Sequence, residues 1–186
     1  ANTSRRKCGF IRKKKLIQMR KFSLILLVLL LAVSFWNCEK DDICADGNAN
    51  TTFMVIEFYD AANPTVLKEV TNLGVGDPAF VTRFSFTGVS KIEVPLRTNA
   101  TTSTLNFIEN GGDEDDTSDD NPDMVTFNYE TNNVYVSRAC GYKTVFQLND
   151  INPVEFVPTA GSWIQNVVVS QPNITNENEV HVKIYF

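Results

Sequence analysis

The sequence predicts an all-β fold: an antiparallel β-sandwich of immunoglobulin-like architecture, preceded by a helical signal peptide. From Thr51 to the end of the chain, apolar and polar residues alternate with period two, which is typical of half-buried strands. No stretch after Cys38 keeps the 3.6-residue period of an amphipathic helix. Turns rich in Asn, Asp, Gly and Pro separate short apolar runs at intervals of about 10–15 residues, a spacing that indicates a sandwich.

Charge divides the chain of 186 residues into two parts. Residues 1–37 carry nine of the 17 Lys and Arg residues and no Asp or Glu. The remainder carries eight basic and all 22 acidic residues, which gives it a net charge of −14. A basic start followed by an apolar run is typical of an export signal. The acidic remainder argues against a nucleic-acid partner, because phosphate contacts need clustered Lys and Arg.

The segment Met19–Cys38 has the layout of a signal peptide. Two basic residues precede ten consecutive apolar residues, 24–33, a run shorter than the roughly 20 residues that span a bilayer. We therefore predict an initiator at Met19, a signal peptide over 19–37, and an upstream extension over 1–18 that is not part of the protein. The alternatives are a long basic n-region and a cytoplasmic tail with one transmembrane helix.

The apolar run ends at Ser-Phe-Trp-Asn-Cys, and Cys38 is followed by Glu-Lys-Asp-Asp. This junction resembles a bacterial lipoprotein signal, in which the cysteine is acylated and becomes the first residue of the mature chain, although Asn37 replaces the usual small residue. The charged residues resemble the surface-export signal of Bacteroidota lipoproteins. We predict lipidation at Cys38 and an acidic tether over 38–50. The alternative is a buried or disulfide-bonded cysteine.

Nine or ten strands are predicted in the domain 51–186, and its ten Phe residues are expected to supply the bulk of the core. The runs 90–97 and 103–110 are predicted to pair across TNATT, and 123–130 and 133–139 to form a hairpin across TNN. The other predicted strands are 51–60, 65–73, 79–88, 142–149, 162–171 and 178–186.

Two cysteines, Cys44 and Cys140, remain for the folded domain once Cys38 is assigned to lipid. An exported chain permits a disulfide between them, which would stabilise the fold by about 2–5 kcal/mol. The alternative is two free thiols. A catalytic cysteine is not predicted, because the only histidine, His181, lies in a strand and neither cysteine has a motif around it.

The acidic run 110–123 has Asp or Glu at seven of its last eleven positions. Carboxylate oxygens suit calcium, so a calcium site is one hypothesis for this run. The EF-hand spacing is absent, and the alternative is a solvated hairpin loop. The predicted calcium ligands are Asp113, Asp115, Asp116, Asp119 and Asp120.

Motifs for catalysis are absent from the sequence. It has no G-x-S-x-G, Walker A or dinucleotide fingerprint, and one histidine cannot form the usual zinc sites. Scattered carboxylates could still form a glycosidase pair. No cofactor other than calcium is predicted. In the stretch 134–143, Arg138 is a candidate binding residue, with a structural ion pair as its alternative.

Four stretches together resemble a Bacteroidota lipoprotein family defined as a domain of unknown function: CEKDDIC, VIEFYDAANPTVLKEVTNL, DDNPDMVTFNY and VYVSRACGYKTVF. The resemblance covers about residues 38–186 and supports pairing Cys44 with Cys140. It implies no activity or catalytic residue, and it implies association with envelope proteins such as an outer-membrane β-barrel.

From these observations we expect a non-enzymatic binding or assembly module, held by lipid to the bacterial outer membrane at its periplasmic face or at the cell surface. The alternatives are a carboxylate-dependent envelope hydrolase and a calcium-stabilised adhesion domain.

Overall fold

A computed structural model describes residues 21, 24–29, 44, 51–79, 83–113 and 116–186. Residues 24–29 are helical, and no helix among the described residues is long and apolar enough to cross a membrane. The predicted lipidation site Cys38, the upstream extension 1–18 and the predicted calcium ligand Asp115 lie outside the described residues.

Residues 44–186 form one compact unit, in which the described strands make two sheets. The strands are β1 Met54–Tyr59, β2 Val70–Gly76, β3 Arg83–Val89, β4 Lys91–Val94, β5 Thr102–Glu109, β6 Asn121–Ser137, β7 Gly141–Leu148, β8 Val154–Glu155, β9 Asn166–Val169, β10 Asn173–Ile174 and β11 Val182–Tyr185.

The smaller sheet has the order β4-β1-β11-β9, and the larger has the order β10-β7-β6-β5-β2-β3, with β8 paired to β6. Strands β1 and β11 are parallel, and the other paired strands are antiparallel. The prediction of a mostly antiparallel, all-β protein is therefore confirmed. The immunoglobulin-like subclass stays a prediction.

One face of each sheet supplies a single apolar core, as expected where strands alternate inward and outward. The largest fully buried side chains come from both sheets: Phe58, Met54, Ile56 and Ile184 from the smaller, and Tyr129, Phe107, Phe127, Phe146, Leu73 and Leu148 from the larger. Trp163 closes this core, and its indole N–H donates to the Phe107 carbonyl at 3.2 Å. Four Phe residues are thus core as predicted, whereas Phe84 is 58% exposed.

The predicted hairpin across TNN is wrong, because β6 runs through these residues without a turn. Thr131, Asn132 and Asn133 pair with β7 opposite Phe146, Val145 and Thr144, and this ladder holds them extended. The chain turns later, between Ser137 and Gly141, and Gly141 has a φ of 72°. A glycine tolerates this left-handed conformation without steric cost, whereas asparagine tolerates it less well.

The predicted pairing of 90–97 with 103–110 is also wrong, because the two segments lie in different sheets. Strand β4 pairs with β1, whereas β5 pairs with β2 and β6. Pro95 follows β4 directly and has no N–H to donate to a ladder, so the strand ends there. The chain then crosses to the larger sheet, and the Arg97 N–H donates to the Ser103 hydroxyl at 2.9 Å.

Candidate binding site at the open side of the sandwich

A cavity of about 170 Å³ opens between the two sheets at one side of the sandwich. Its walls come from β2, β3 and β5 of the larger sheet and from β4 with the three residues after it in the smaller sheet. Both β3 and β4 end their sheets, so the cavity lies where the two sheet edges face each other. Apolar side chains dominate its surface, among them Val75, Phe84, Val94, Leu96 and Leu105.

Phe84 stands at the mouth of this cavity. It pairs with Val75, which is buried, so the two side chains share the inner face of the larger sheet. Because β3 is the last strand of that sheet, no described strand lies beyond Phe84 to cover its ring. An exposed aromatic ring on an inner face is unusual, since apolar groups on that face are normally buried.

Polar groups beside the cavity are satisfied by one another. The Tyr129 hydroxyl donates to the Arg97 carbonyl at 2.8 Å and lies 2.6 Å from the Ser103 hydroxyl. With the Arg97 N–H bond to Ser103, these three residues close a ring of hydrogen bonds. Burial raises the pKa of Tyr129 above its usual value. The one Tyr129 proton goes to the Arg97 carbonyl, so the Ser103 hydroxyl accepts from the Arg97 N–H and donates to the Tyr129 oxygen. Ser103 is therefore part of a structural network, and no basic side chain among the described residues bonds its hydroxyl to make it a nucleophile.

One ion pair lies at the cavity, between the Arg97 guanidinium and the Asp77 carboxylate. A hydrogen bond from the Ala79 N–H, together with the bond from Arg97, lowers the pKa of Asp77 below its usual value. A general acid at neutral pH needs the opposite shift, because it must hold its proton. Asp77 is thus suited to position Arg97 and unsuited to acid catalysis.

A second hollow, of about 370 Å³, lies beside the end of β7 and is lined by Glu130, Asp150 and polar neighbours. It contains two carboxylates, the number that a glycosidase-type pair needs. Both side chains are exposed to solvent. The general acid of such a pair commonly sits in an apolar setting that excludes water.

In the described part of the acidic loop, the predicted calcium ligands form hydrogen bonds with other groups of the protein. The Asp120 carboxylate accepts a hydrogen bond from the Arg83 guanidinium at 2.7 Å, and the Asp113 carbonyl accepts another from the same group. The Asp116 carboxylate accepts from the N–H and the hydroxyl of Ser118, which lowers its pKa. Asp119 contributes its carbonyl to the Asn110 side chain at 3.4 Å.

Among the described residues, no group of three or more His, Cys, Asp or Glu side chains is arranged to hold a metal ion. The calcium site stays a prediction, since Asp115 is not among them. The structure shows that Arg83 of β3 binds this loop to the larger sheet. No motif in the sequence predicts this role for Arg83.

Cys44 and Cys140 are joined by a disulfide with a Cα–Cα distance of 4.9 Å, as predicted. The bond connects the segment before β1 to the turn between β6 and β7. Arg138 lies in the same turn, is exposed, and forms no hydrogen bond or ion pair with the residues that the structure describes. Its predicted alternative role in a structural ion pair therefore has no support in the described part of the chain.

His181, the only histidine, has a structural role. Its side chain is 1% exposed, and its Nδ1 accepts a hydrogen bond from the Val55 N–H at 2.9 Å. Its own N–H donates to the Val55 carbonyl at 3.0 Å, so one residue makes two bonds to β1. Burial lowers the pKa of His181 below 6.5, and nearby Glu179 and Glu177 oppose that shift.

We expect the stability of the domain to depend on pH through His181. Because the folded state favours the neutral imidazole, this contribution is complete above pH 6.5 and is lost as the pH falls through the lower folded-state pKa. Each pKa unit of lowering corresponds to about 1.4 kcal/mol. Urea unfolding at a series of pH values from about 7 to about 5, the range in which histidine titrates, measures it.

His181→Asn is the matched control, because its Oδ1, attached to Cγ as Nδ1 is, can still accept the Val55 N–H without titrating. We expect this variant to have a flat stability profile over the same pH range. An unchanged slope in the variant would show that other groups cause the pH dependence. Three carboxylates also have a lowered pKa: Asp60, Asp77 and Asp116. Their contribution to stability changes only at lower pH, because the ordinary pKa of an Asp side chain is 3.8.

Comparison with known proteins gives one match. Residues 70–186 match the model of a family of unknown function, DUF6452, and this range includes every residue of the cavity and of the β6–β7 turn. No curated protein and no solved structure matches the chain. Since the match covers more than half of its residues, the chain belongs to the DUF6452 family.

Proposed function

We propose that this protein is a lipid-anchored binding module of the bacterial envelope, which takes an extended segment of a partner protein at the open side of the sandwich. The observation that carries the proposal is the apolar cavity between the edges of β3 and β4, with the exposed Phe84 ring at its mouth. The anchor is the acyl group predicted at Cys38. The proposed location is the outer membrane of a Bacteroidota cell, and the proposed partner is another envelope protein.

The size of the cavity favours one apolar side chain as its occupant. A cavity of 170 Å³ is close to the engineered cavity of about 150 Å³ that binds benzene. Sites for drug-sized ligands are larger, about 300–1,000 Å³. A drug-sized molecule would therefore not fit, whereas one Phe or Leu side chain from a partner would.

The edge of β3 explains why the segment would be extended. No described strand pairs with the outer edge of β3, so its residues 84–89 present an edge to which another chain can add as a strand. In strand addition, main-chain hydrogen bonds provide affinity, and pockets for alternate side chains provide specificity. Here the edge and the cavity lie side by side, because Phe84 belongs to both.

The hydrolase alternative has weaker support. The only described carboxylate in the cavity is Asp77, which pairs with Arg97 and has a lowered pKa. The open hollow with Glu130 and Asp150 holds two carboxylates, and solvent reaches both side chains. The calcium-adhesion alternative depends on the acidic loop, whose described aspartates bind Arg83, Ser118 and Asn110.

We expect Phe84→Asp to lower recovery of the partner at least about tenfold, equivalent to about 1.4 kcal/mol, because a carboxylate at the mouth must be desolvated when the partner binds. The measurement is quantitative mass spectrometry of proteins that co-purify with the tagged full chain from its host. The same chain carrying Met124→Asp is the matched control. Met124 is 60% exposed and lies on β6 of the same sheet, but it is not part of the cavity.

Met124→Asp should recover the partner as the parent chain does. Equal recovery by the two variants would contradict the proposed site. Thermal unfolding of both variants checks that each is folded. We expect both to be as stable as the parent chain, because substitutions of exposed side chains usually change stability by less than about 0.5 kcal/mol.

A further inference from the structure

The outer part of the β6–β7 hairpin extends beyond the ladder that covers the rest of β6. Strand β5 pairs with β6 as far as Asn128, and after that residue β7 is the only described partner of β6. The β6 side chains from Glu130 to Tyr135 are exposed on both faces. We call residues 134–143, which form the end of this two-stranded projection, the arm tip.

Aromatic side chains are exposed at the arm tip. Tyr135 and Tyr142 lie opposite each other with ring centroids 5.4 Å apart, and they are 53% and 68% exposed. Val134 adds an exposed apolar side chain on the other face. Tyrosine is amphipathic and is enriched where proteins meet the boundary between membrane and water. The ring pair is therefore suited to the headgroup layer of a membrane.

The charge of the arm tip is opposite to that of the domain. Arg138 and Lys143 are the only charged residues between Thr131 and Asn149, whereas the chain after residue 37 has a net charge of −14. Arg138 is exposed at the turn. The Lys143 ammonium donates to the Thr175 carbonyl at 3.2 Å, so Arg138 is the group more available to a phosphate. Guanidinium groups bind phosphate oxygens in two-point contacts.

The disulfide determines where the arm tip can lie. It joins Cys140 in the tip to Cys44, which follows Cys38 by six residues. A fully extended chain spans at most about 3.6 Å per residue, so six residues reach roughly 20 Å. With the 4.9 Å Cα–Cα distance of the disulfide added, an acyl chain on Cys38 would hold Cys140 within roughly 25 Å of the membrane surface.

We propose that the arm tip rests on the phospholipid headgroup layer of the membrane that holds the anchor, with Tyr135 and Tyr142 at the interface and Arg138 against lipid phosphate. This inference rests on the proposed function, because the lipid at Cys38 brings the tip to the surface. The contact would orient the domain, since one end of β7 would face the membrane and the other would point away from it.

Quenching of tryptophan fluorescence by brominated phospholipids tests this contact. The full chain is produced with its signal in a bacterial host, purified in detergent and reconstituted into vesicles of phosphatidylethanolamine and phosphatidylglycerol with brominated acyl chains. Tyr135→Trp reports on the arm tip. Ile151→Trp is the matched control: Ile151 is 80% exposed and follows the opposite end of β7, an eight-residue strand about 27 Å long.

The signal of the parent chain is subtracted; once the residues before Cys38 are removed, its one native Trp is Trp163. The intact mass of each preparation determines whether Cys38 is acylated and whether residues before it are removed. With an acylated chain, we expect quenching at position 135 to exceed that at 151 by at least about twofold, as interfacial placement requires.

Each other outcome counts against a different claim. Equal quenching at the two positions in an acylated chain would overturn the arm-tip contact and leave the anchor intact, which is the result expected if the tip binds a protein instead. An intact mass without acylation would overturn the anchor, and the inference would fall with it.

Discussion

Replacing Cys140 by serine is expected to lower the free energy of unfolding by about 2–5 kcal/mol, one of the two largest effects of a single substitution considered for this chain. The bond closes a segment with a sequence separation of 96 residues, from the start of the compact unit to the β6–β7 turn. Without it, the unfolded chain gains the conformational freedom of that loop, and Cys44 loses its attachment to the fold. Urea unfolding followed by circular dichroism measures the change.

The control for this prediction is the partner residue. Cys44→Ser should have the same effect as Cys140→Ser, and the double variant should be no less stable than either single variant, since all three remove one bond. If Cys44→Ser left the free energy of unfolding unchanged while Cys140→Ser lowered it, the loss would arise from the turn and not from the cross-link.

Gly74→Ala should lower the free energy of unfolding by about 1–3 kcal/mol or more, because a methyl group there has no room. Gly74 lies in β2, and a Cβ at this position would collide with the backbone carbonyl of Gly111 at the start of the acidic loop. A backbone atom cannot move aside as a flexible side chain can. The loop would have to leave the sheet, and the Arg83–Asp120 ion pair would be strained or lost.

Gly161→Ala is the matched control, because a Cβ at Gly161 would have no neighbour within 4 Å. We expect this variant to be as stable as the parent chain or slightly more stable, since alanine restricts the unfolded state. Equal stability of the two alanine variants in urea unfolding would show that the acidic loop is not packed against β2.

The alternation of apolar residues was sufficient to predict the fold class, because most strands have one buried face. β4 is an example, with Ile92 and Val94 buried and Lys91 and Glu93 exposed. The pairing of strands could not be predicted in the same way. Thr131–Asn133 have turn-forming residues, yet they remain extended because β7 provides a ladder for them. Local turn preference is weaker than a continuous set of cross-strand hydrogen bonds.

The candidate site was less accessible to sequence reasoning than the fold. Phe84 follows the same alternation as buried Phe residues, and only its place at the end of a sheet leaves it exposed. Arg83 bonds to Asp120 in the acidic loop, 37 residues later in the sequence, and no local pattern predicts such a contact. The disulfide was more predictable, since two unassigned cysteines in a domain that is predicted to be exported suggest one pairing. Strands β8 and β10 have two residues each, too few to show the alternation of apolar and polar residues that predicts a strand.

Photo-crosslinking in the host cell tests the central claim most directly. The full chain would carry p-benzoylphenylalanine at position 84 in one strain and at position 124 in another, so that the reactive group stands at the cavity mouth or elsewhere on the same sheet. Phe84 and Met124 are 58% and 60% exposed, so solvent access is matched. We predict a covalent adduct heavier than the chain after irradiation at position 84 and none at position 124. An adduct at position 124 with none at position 84 would contradict a binding site at the open side of the sandwich.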